Sequence, residues 1–278
     1  MRVHVWGTLL PICLLSFGCA HDAKTTWTDV AKKCAVSDIN GNNLLFFGPS
    51  NALGPGSVWR EASKDEGGFR VRRDSNQYPD RKTWFQEGRT FDCEATKTSK
   101  FTGDAAVGFT SGLSILSADA KADFSKAKEV SVKTNKMRWD QLFEGNFEDA
   151  VSRMQKTDPA YQDLLTPGRL VLYRALMIDG FEARLVFDSN VGSELSGKYK
   201  PNTTGYLNSS EFGAKFSFKW ENQENLIIST PSGSSIYIAG ELVPFTSMGT
   251  FSAPPPGDGM PHKEVLRIPE NPPIGIDR

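Results

Sequence analysis

The chain has 278 residues, enough for one sizeable core or two small ones. Its 32 basic and 33 acidic side chains are intermixed and leave a formal charge of -1, which excludes a nucleic-acid partner because such a surface needs a basic face. Of the three histidines His4 and His21 stand near the amino end and His262 in a proline-rich tail, so a histidine-based triad or metal site is excluded from the body.

The first element in the chain is a leader. Arg2 is the only charge before Asp22, Leu9 to Phe17 form an apolar core, and Gly18, Cys19 and Ala20 end it with small residues, the layout of an export signal over 1–20. Gly7, Thr8 and Pro11 interrupt the run, which falls short of the ~20 apolar residues a spanning helix needs. Leu15-Ser16-Phe17-Gly18-Cys19 resembles the lipobox of bacterial lipoprotein precursors, in which a small residue precedes a cysteine that becomes lipidated and amino-terminal. The resemblance covers the leader alone; Leu15 lies one place too far from Cys19, and Phe17 stands where a smaller residue is more common. It implies acyl chains on Cys19, a stable membrane anchor, and an outer-membrane destination because Ala20 follows in place of an aspartate. Ordinary cleavage after Ala20 is the alternative and makes the chain periplasmic or secreted.

Cys13 lies in the leader, so either cut leaves Cys34 and Cys93 as the candidate disulfide of an oxidising compartment. Closing that loop stabilises the fold by about 4 kcal/mol on the chain-entropy model.

Residues 21–252 read as one β-rich globular domain of α+β class, mostly antiparallel sheet in hairpins and a meander, with two or three short helices. Thr26 can cap a helix over Trp27 to Ala35. Leu44 to Phe47, Ser57 to Glu61 and Phe69 to Arg73 read as strands between glycine and proline turns. Arg70, Arg72 and Arg73 then form a strand's solvated side. Residues 91–103 alternate loosely, and Val107, Phe109, Leu113 and Ile115 continue the apolar signal among Gly, Ser and Thr. Ala118 to Phe124 fits two periods: positions 118, 120, 122 and 124 alternate, yet Leu116, Ala120, Phe124 and Ala127 make a helical stripe. Strand is the expectation, and Val130 and Val132 belong to a strand more clearly.

Phe147 to Met154 reads as a helix stopped by Asp158-Pro159. Leu170 to Ile178 and Phe181 to Phe187 flank Asp179-Gly180, a type I′ turn signal, and predict a hairpin. A polar loop over 198–210 leads to a meander through Ala214 to Trp220, Leu226 to Ser229 and Ile236 to Val243. Residues 253–278 form an extended proline-rich tail.

Candidate chemistry is sparse. Asp38-Ile39-Asn40-Gly41-Asn42 has its glycine too early for a calcium loop and reads as a turn. Asp140, Glu144 and Glu148 have helix-face spacing, as do Asp119 and Asp123 if their segment is helical, but one helix face does not set two carboxyls across a cleft. Asn202-Thr203-Thr204 and Asn208-Ser209-Ser210 match the glycosylation sequon. Trp27, Trp59, Trp84, Trp139 and Trp220 are core or platform candidates. No cofactor, metal or catalytic residue is expected.

The leading expectation is an exported, lipid-anchorable envelope protein that binds or supports an envelope protein or cell-wall component without catalysis. One alternative is a carboxylate-dependent hydrolase of an envelope polymer. Another is a membrane-inserting or pore-forming protein using residues 105–132, where small residues and alternating polarity suit a transmembrane hairpin with Asp119, Lys121 and Asp123 toward a lumen.

Overall fold

In the computed structural model the described residues are 23–34, 36, 44–50, 53–63, 68–73, 78, 81–93, 99–111, 118–199, 206–208, 215–231, 234–245 and 274–276. The fold is α+β and β-rich, with strands paired antiparallel except at one edge. The first sheet has the lateral order β1 (Leu44–Ser50), β13 (Ser235–Pro244), β8 (Arg169–Asp179), β2 (Val58–Glu61), β3 (Phe69–Arg73) and β14 (Ile274–Ile276). It forks at β8: the half of β8 that does not meet β2 pairs with β7 (Lys136–Leu142), and β4 (Phe85–Asp92) pairs with β7. The second sheet runs β10 (Tyr206–Asn208), β11 (Lys215–Trp220), β12 (Asn225–Ser229), β9 (Glu182–Val186), β6 (Glu129–Lys133) and β5 (Ser99–Thr102). Helices are α1 (Ala23–Lys33), α2 (Arg81–Trp84), α3 (Asp104–Ser111), α4 (Ala118–Phe124), α5 (Glu144–Ser152), α6 (Pro159–Leu164) and α7 (Ser189–Lys198).

The two sheets share four paths of chain. β4 leads into β5, β6 into β7, β8 into β9 and β12 into β13, and the order β4-β7-β8-β13 in one sheet matches β5-β6-β9-β12 in the other. Hydrogen bonds knit the breaks together: Cys93 N to Asn135 O at 2.9 Å, Asn135 N to Asp179 O at 3.0 Å, and Thr230 N to Phe181 O at 3.0 Å. One core serves both sheets on the face they share. Met137, Trp139, Leu176, Ile178 and Ile238 enter it from the first sheet, and Val130, Val132, Leu185, Phe216 and Ile228 from the second. On the other face of the first sheet, Trp59, Leu172 and Met177 lie in a second cluster, while Trp84, Phe147 and Leu164 pack α2, α5 and α6 into a third.

This path corrects the hairpin expected at Asp179-Gly180. Gly180 does take a positive φ of 66°, but β8 and β9 do not pair; they lie in different sheets. β8 buries both faces, with Leu176 and Ile178 in the shared core and Ala175 and Met177 in the second cluster, and its edges are taken by β13 on one side and by β2 and β7 on the other. The meander is corrected likewise, since β12 pairs with β9 and β11 while β13 crosses to the first sheet.

Further differences are local. α1 begins at Ala23, so Thr26 lies inside it rather than capping it. Asp158-Pro159 starts a helix: the Asp158 carboxylate accepts from Ala160 N at 2.7 Å as N-cap and Pro159 opens α6, where a missing N–H costs nothing. The proline-rich tail ends in β14, a strand paired in parallel with β3. Of the 198–210 stretch, Lys198 closes α7 and Tyr206–Asn208 form β10. The leader with Cys19, the 38–42 turn, Asn202 and residues 246–273 lie outside the described residues.

Candidate functional site

The carboxylates singled out in the sequence are engaged structurally. Asp140 is not on a helix with Glu144 and Glu148; it lies in β7, fully buried. Arg138 donates to it through Nε at 2.6 Å and Nη2 at 3.2 Å, and the Tyr237 hydroxyl donates at 2.9 Å. Burial, reinforced by the Asp140 charge, pushes the Tyr237 hydroxyl well above its ordinary pKa, so it remains a donor. Asp119 and Asp123 do share a helix, α4. Asp119 is exposed, while Asp123 accepts from Lys198 Nζ at 2.6 Å, Lys126 Nζ at 2.9 Å and the Tyr199 hydroxyl at 2.9 Å, which hold its carboxyl well below the usual range. Among the described residues no group of three or more His, Cys, Asp and Glu side chains could hold a metal ion.

The other candidates resolve similarly. Trp27, Trp59, Trp84 and Trp139 are core residues, and half-buried Trp220 donates its Nε1 to Tyr199 O at 3.1 Å, so none of them offers an open platform. Arg72 and Arg73 do not simply face solvent; each places Nε 3.5 Å from Asp163 of α6, which Arg169 Nη2 also meets at 2.9 Å.

Residues 105–132 are the segment offered by the sequence for membrane insertion. They run from α3 through α4 into β6, between two strands that are direct neighbours, and among the described residues β5 ends the second sheet. Ala118 to Phe124 is helix, which corrects the strand expected there. The helical stripe wins because Ala120 and Phe124 drop into the core together: the Phe124 ring lies 5.1 Å from Tyr199, 6.3 Å from Phe187 and 6.4 Å from Phe218. α3 is held by Phe109, fully buried between Trp27 of α1 at 5.2 Å and Phe101 of β5 at 6.1 Å. Neither helix reaches the ~12 residues below which an isolated helix is marginal in water, so their helicity is owed to this packing.

α1 ties this region down. Cys34, one residue past the helix, is bonded to Cys93 with an S–S distance of 2.09 Å. Both cysteines are buried, as are Val30 and Ala31 one turn back along α1.

No protein-family model matches the chain, and no curated protein matches it. Among solved structures it is similar to a bacterial gasdermin from Bradyrhizobium tropiciagri, at 13% identity over 72% of this chain and 81% of that one, with a TM-score of 0.39. No helix among the described residues is long and apolar enough to cross a membrane, which says nothing of crossing by strands.

Proposed function

We infer that this chain is an exported, non-catalytic envelope protein that acts on membranes, converting the segment between β5 and β6 into an inserted β-hairpin. Export rests on the leader and suits a disulfide, which persists in oxidising compartments.

The observation that carries the membrane action is register. β5 and β6 pair with Phe101 opposite Val130 and Thr102 opposite Glu129. Carried forward without a slip, that register sets Val107 opposite Phe124, Phe109 opposite Ala122, Ser111 opposite Ala120 and Leu113 opposite Ala118 on one face, with Ala105 opposite Lys126 at its base, where a lysine can reach the interface. The other face pairs Gly108 with Asp123, Thr110 with Lys121, Gly112 with Asp119 and Ser114 with Ser117. A shift of one residue would set the apolar side of one arm against the charged side of the other, so the pairing already present in the folded protein is one that makes the hairpin amphipathic. Arms over 105–114 and 117–126 match the ~9–11 residues a tilted membrane strand needs, with the alternation of a lipid-facing and a water-facing side.

One hairpin alone leaves unpaired backbone groups along both edges in lipid, at several kcal/mol each, so several copies must join into a closed barrel.

The test is dye release from loaded vesicles by the mature chain. Release is expected, rising more steeply than linearly with protein concentration because copies must assemble. Intact vesicles at every concentration and in both neutral and anionic lipid would defeat the reading.

A further inference from the structure

α1 reaches three of the four breaks between the sheets. Through Cys34 it is bonded to Cys93, where β4 gives way to β5. The same Cys34 Sγ lies 3.5 Å from Thr134 Oγ1, where β6 gives way to β7. Midway along the helix, the Trp27 ring stands 5.8 Å from Phe181, where β8 gives way to β9. That tryptophan is also the residue 5.2 Å from Phe109 of α3. α1 therefore crosses the line of breaks with its carboxyl end stapled and its middle leaning on the segment between β5 and β6.

Phe109 cannot turn toward lipid while Trp27 and Phe101 enclose it. The enclosure is not free of strain in the polar sense: Trp27 Nε1 is buried with no hydrogen-bond acceptor among the described residues, and an unmet buried donor costs about 1–3 kcal/mol. Withdrawal of Trp27 would restore its hydration. The disulfide opposes that withdrawal by holding the carboxyl end of α1 against the sheet.

We propose that α1, stapled by Cys34–Cys93, is a brace that keeps α3 helical, and that its release is the step which frees residues 103–128 to convert. The proposal rests on the membrane action inferred above for the same segment. It places the control in a helix outside that segment, anchored by a covalent bond that the hairpin itself does not contain and that stays intact when Trp27 withdraws.

Hydrogen–deuterium exchange and vesicle release on the full mature chain test it together. In the Cys34→Ser/Cys93→Ser double variant, amides of 104–111 should exchange about tenfold faster or more while those of β8 and β13 keep their protection, and dye release should begin after a shorter lag. Unchanged protection of 104–111 in a folded variant overturns the brace. Faster exchange in 104–111 with no release from either protein supports the brace and defeats the membrane reading instead. If the double variant does not fold, Trp27→Ala with the disulfide intact removes the contact with Phe109 instead. Selective loss of protection in 104–111 then supports the brace, and uniform or absent loss overturns it.

Discussion

Replacing Ala122 by lysine separates the folded form of the segment between β5 and β6 from the inserted form proposed for it. In α4 Ala122 is exposed, on the side away from buried Ala120 and Phe124. Lysine is a good helix former, so the folded state should lose no more than about 0.5 kcal/mol, as for surface substitutions generally. In the hairpin the same position stands opposite Phe109 on the lipid side, midway along its arm. A lysine at the bilayer midplane of a membrane barrel costs about 2–4 kcal/mol. At ~1.4 kcal/mol per factor of ten, Ala122→Lys should cut the inserted population roughly 30- to 700-fold. Denaturant unfolding checks the first number and vesicle dye release the second. Lys121→Glu is the matched control, because the same register puts position 121 on the water-facing side of the proposed hairpin; it should leave release near wild type and shift the ion preference of the resulting pore. If Ala122→Lys releases dye as wild type does with its fold intact, or if Lys121→Glu fails equally, the face assignment is wrong.

Asp140→Ala should cost about 3–5 kcal/mol in denaturant unfolding, the range for removing one partner of a buried ion pair, because Arg138 and the Tyr237 hydroxyl both converge on that carboxylate. A loss below about 1 kcal/mol would show the network to be dispensable. Asp123 has a lowered pKa, so its ion pairs stabilise the fold above the unfolded value near 3.9 and the contribution fades as pH falls from there toward the folded value. Asp123→Asn should flatten the acid limb of the stability–pH profile below about pH 4 and leave its shape near neutrality unchanged. Gly88→Ala should destabilise the β4–β7 pair by about 1–3 kcal/mol by overpacking, because a Cβ there would run into the backbone oxygen of Trp139. Urea unfolding with no change in midpoint would contradict that.

Much of the sheet is written in local periodicity. Val130 and Val132 alternate, as Phe216 and Phe218 do, and each lands in the shared core where alternation puts it. What periodicity cannot carry is partnership. Asp179-Gly180 is a sound turn signal, and Gly180 does adopt a positive φ, yet a turn says nothing of whether the strands beside it pair or enter separate sheets. The doubly buried run of β8 held the clue, since a strand with apolar residues at both parities needs cover on both faces. Ala118 to Phe124 satisfies two periods at once; packing of Phe124 against three rings selects the helix, and the unused alternation is what the membrane reading employs. Candidate residues 105–132 were legible from that pattern, whereas the register that aligns their two arms is a long-range property of β5 and β6. Asp140 illustrates the opposite failure, for its spacing from Glu144 and Glu148 suggested one helix while Trp139 and Met137 beside it belong to a strand.

α1 opens at Ala23, four positions after Cys19. Fully stretched, four residues span about 14 Å, less than half the ~30 Å hydrocarbon thickness of a bilayer. Were Cys19 acylated, the helix leaning on Phe109 would live on a short leash at the lipid surface. Any tug or tilt imposed by the bilayer on the amino end would then arrive at Trp27 before it reached either sheet.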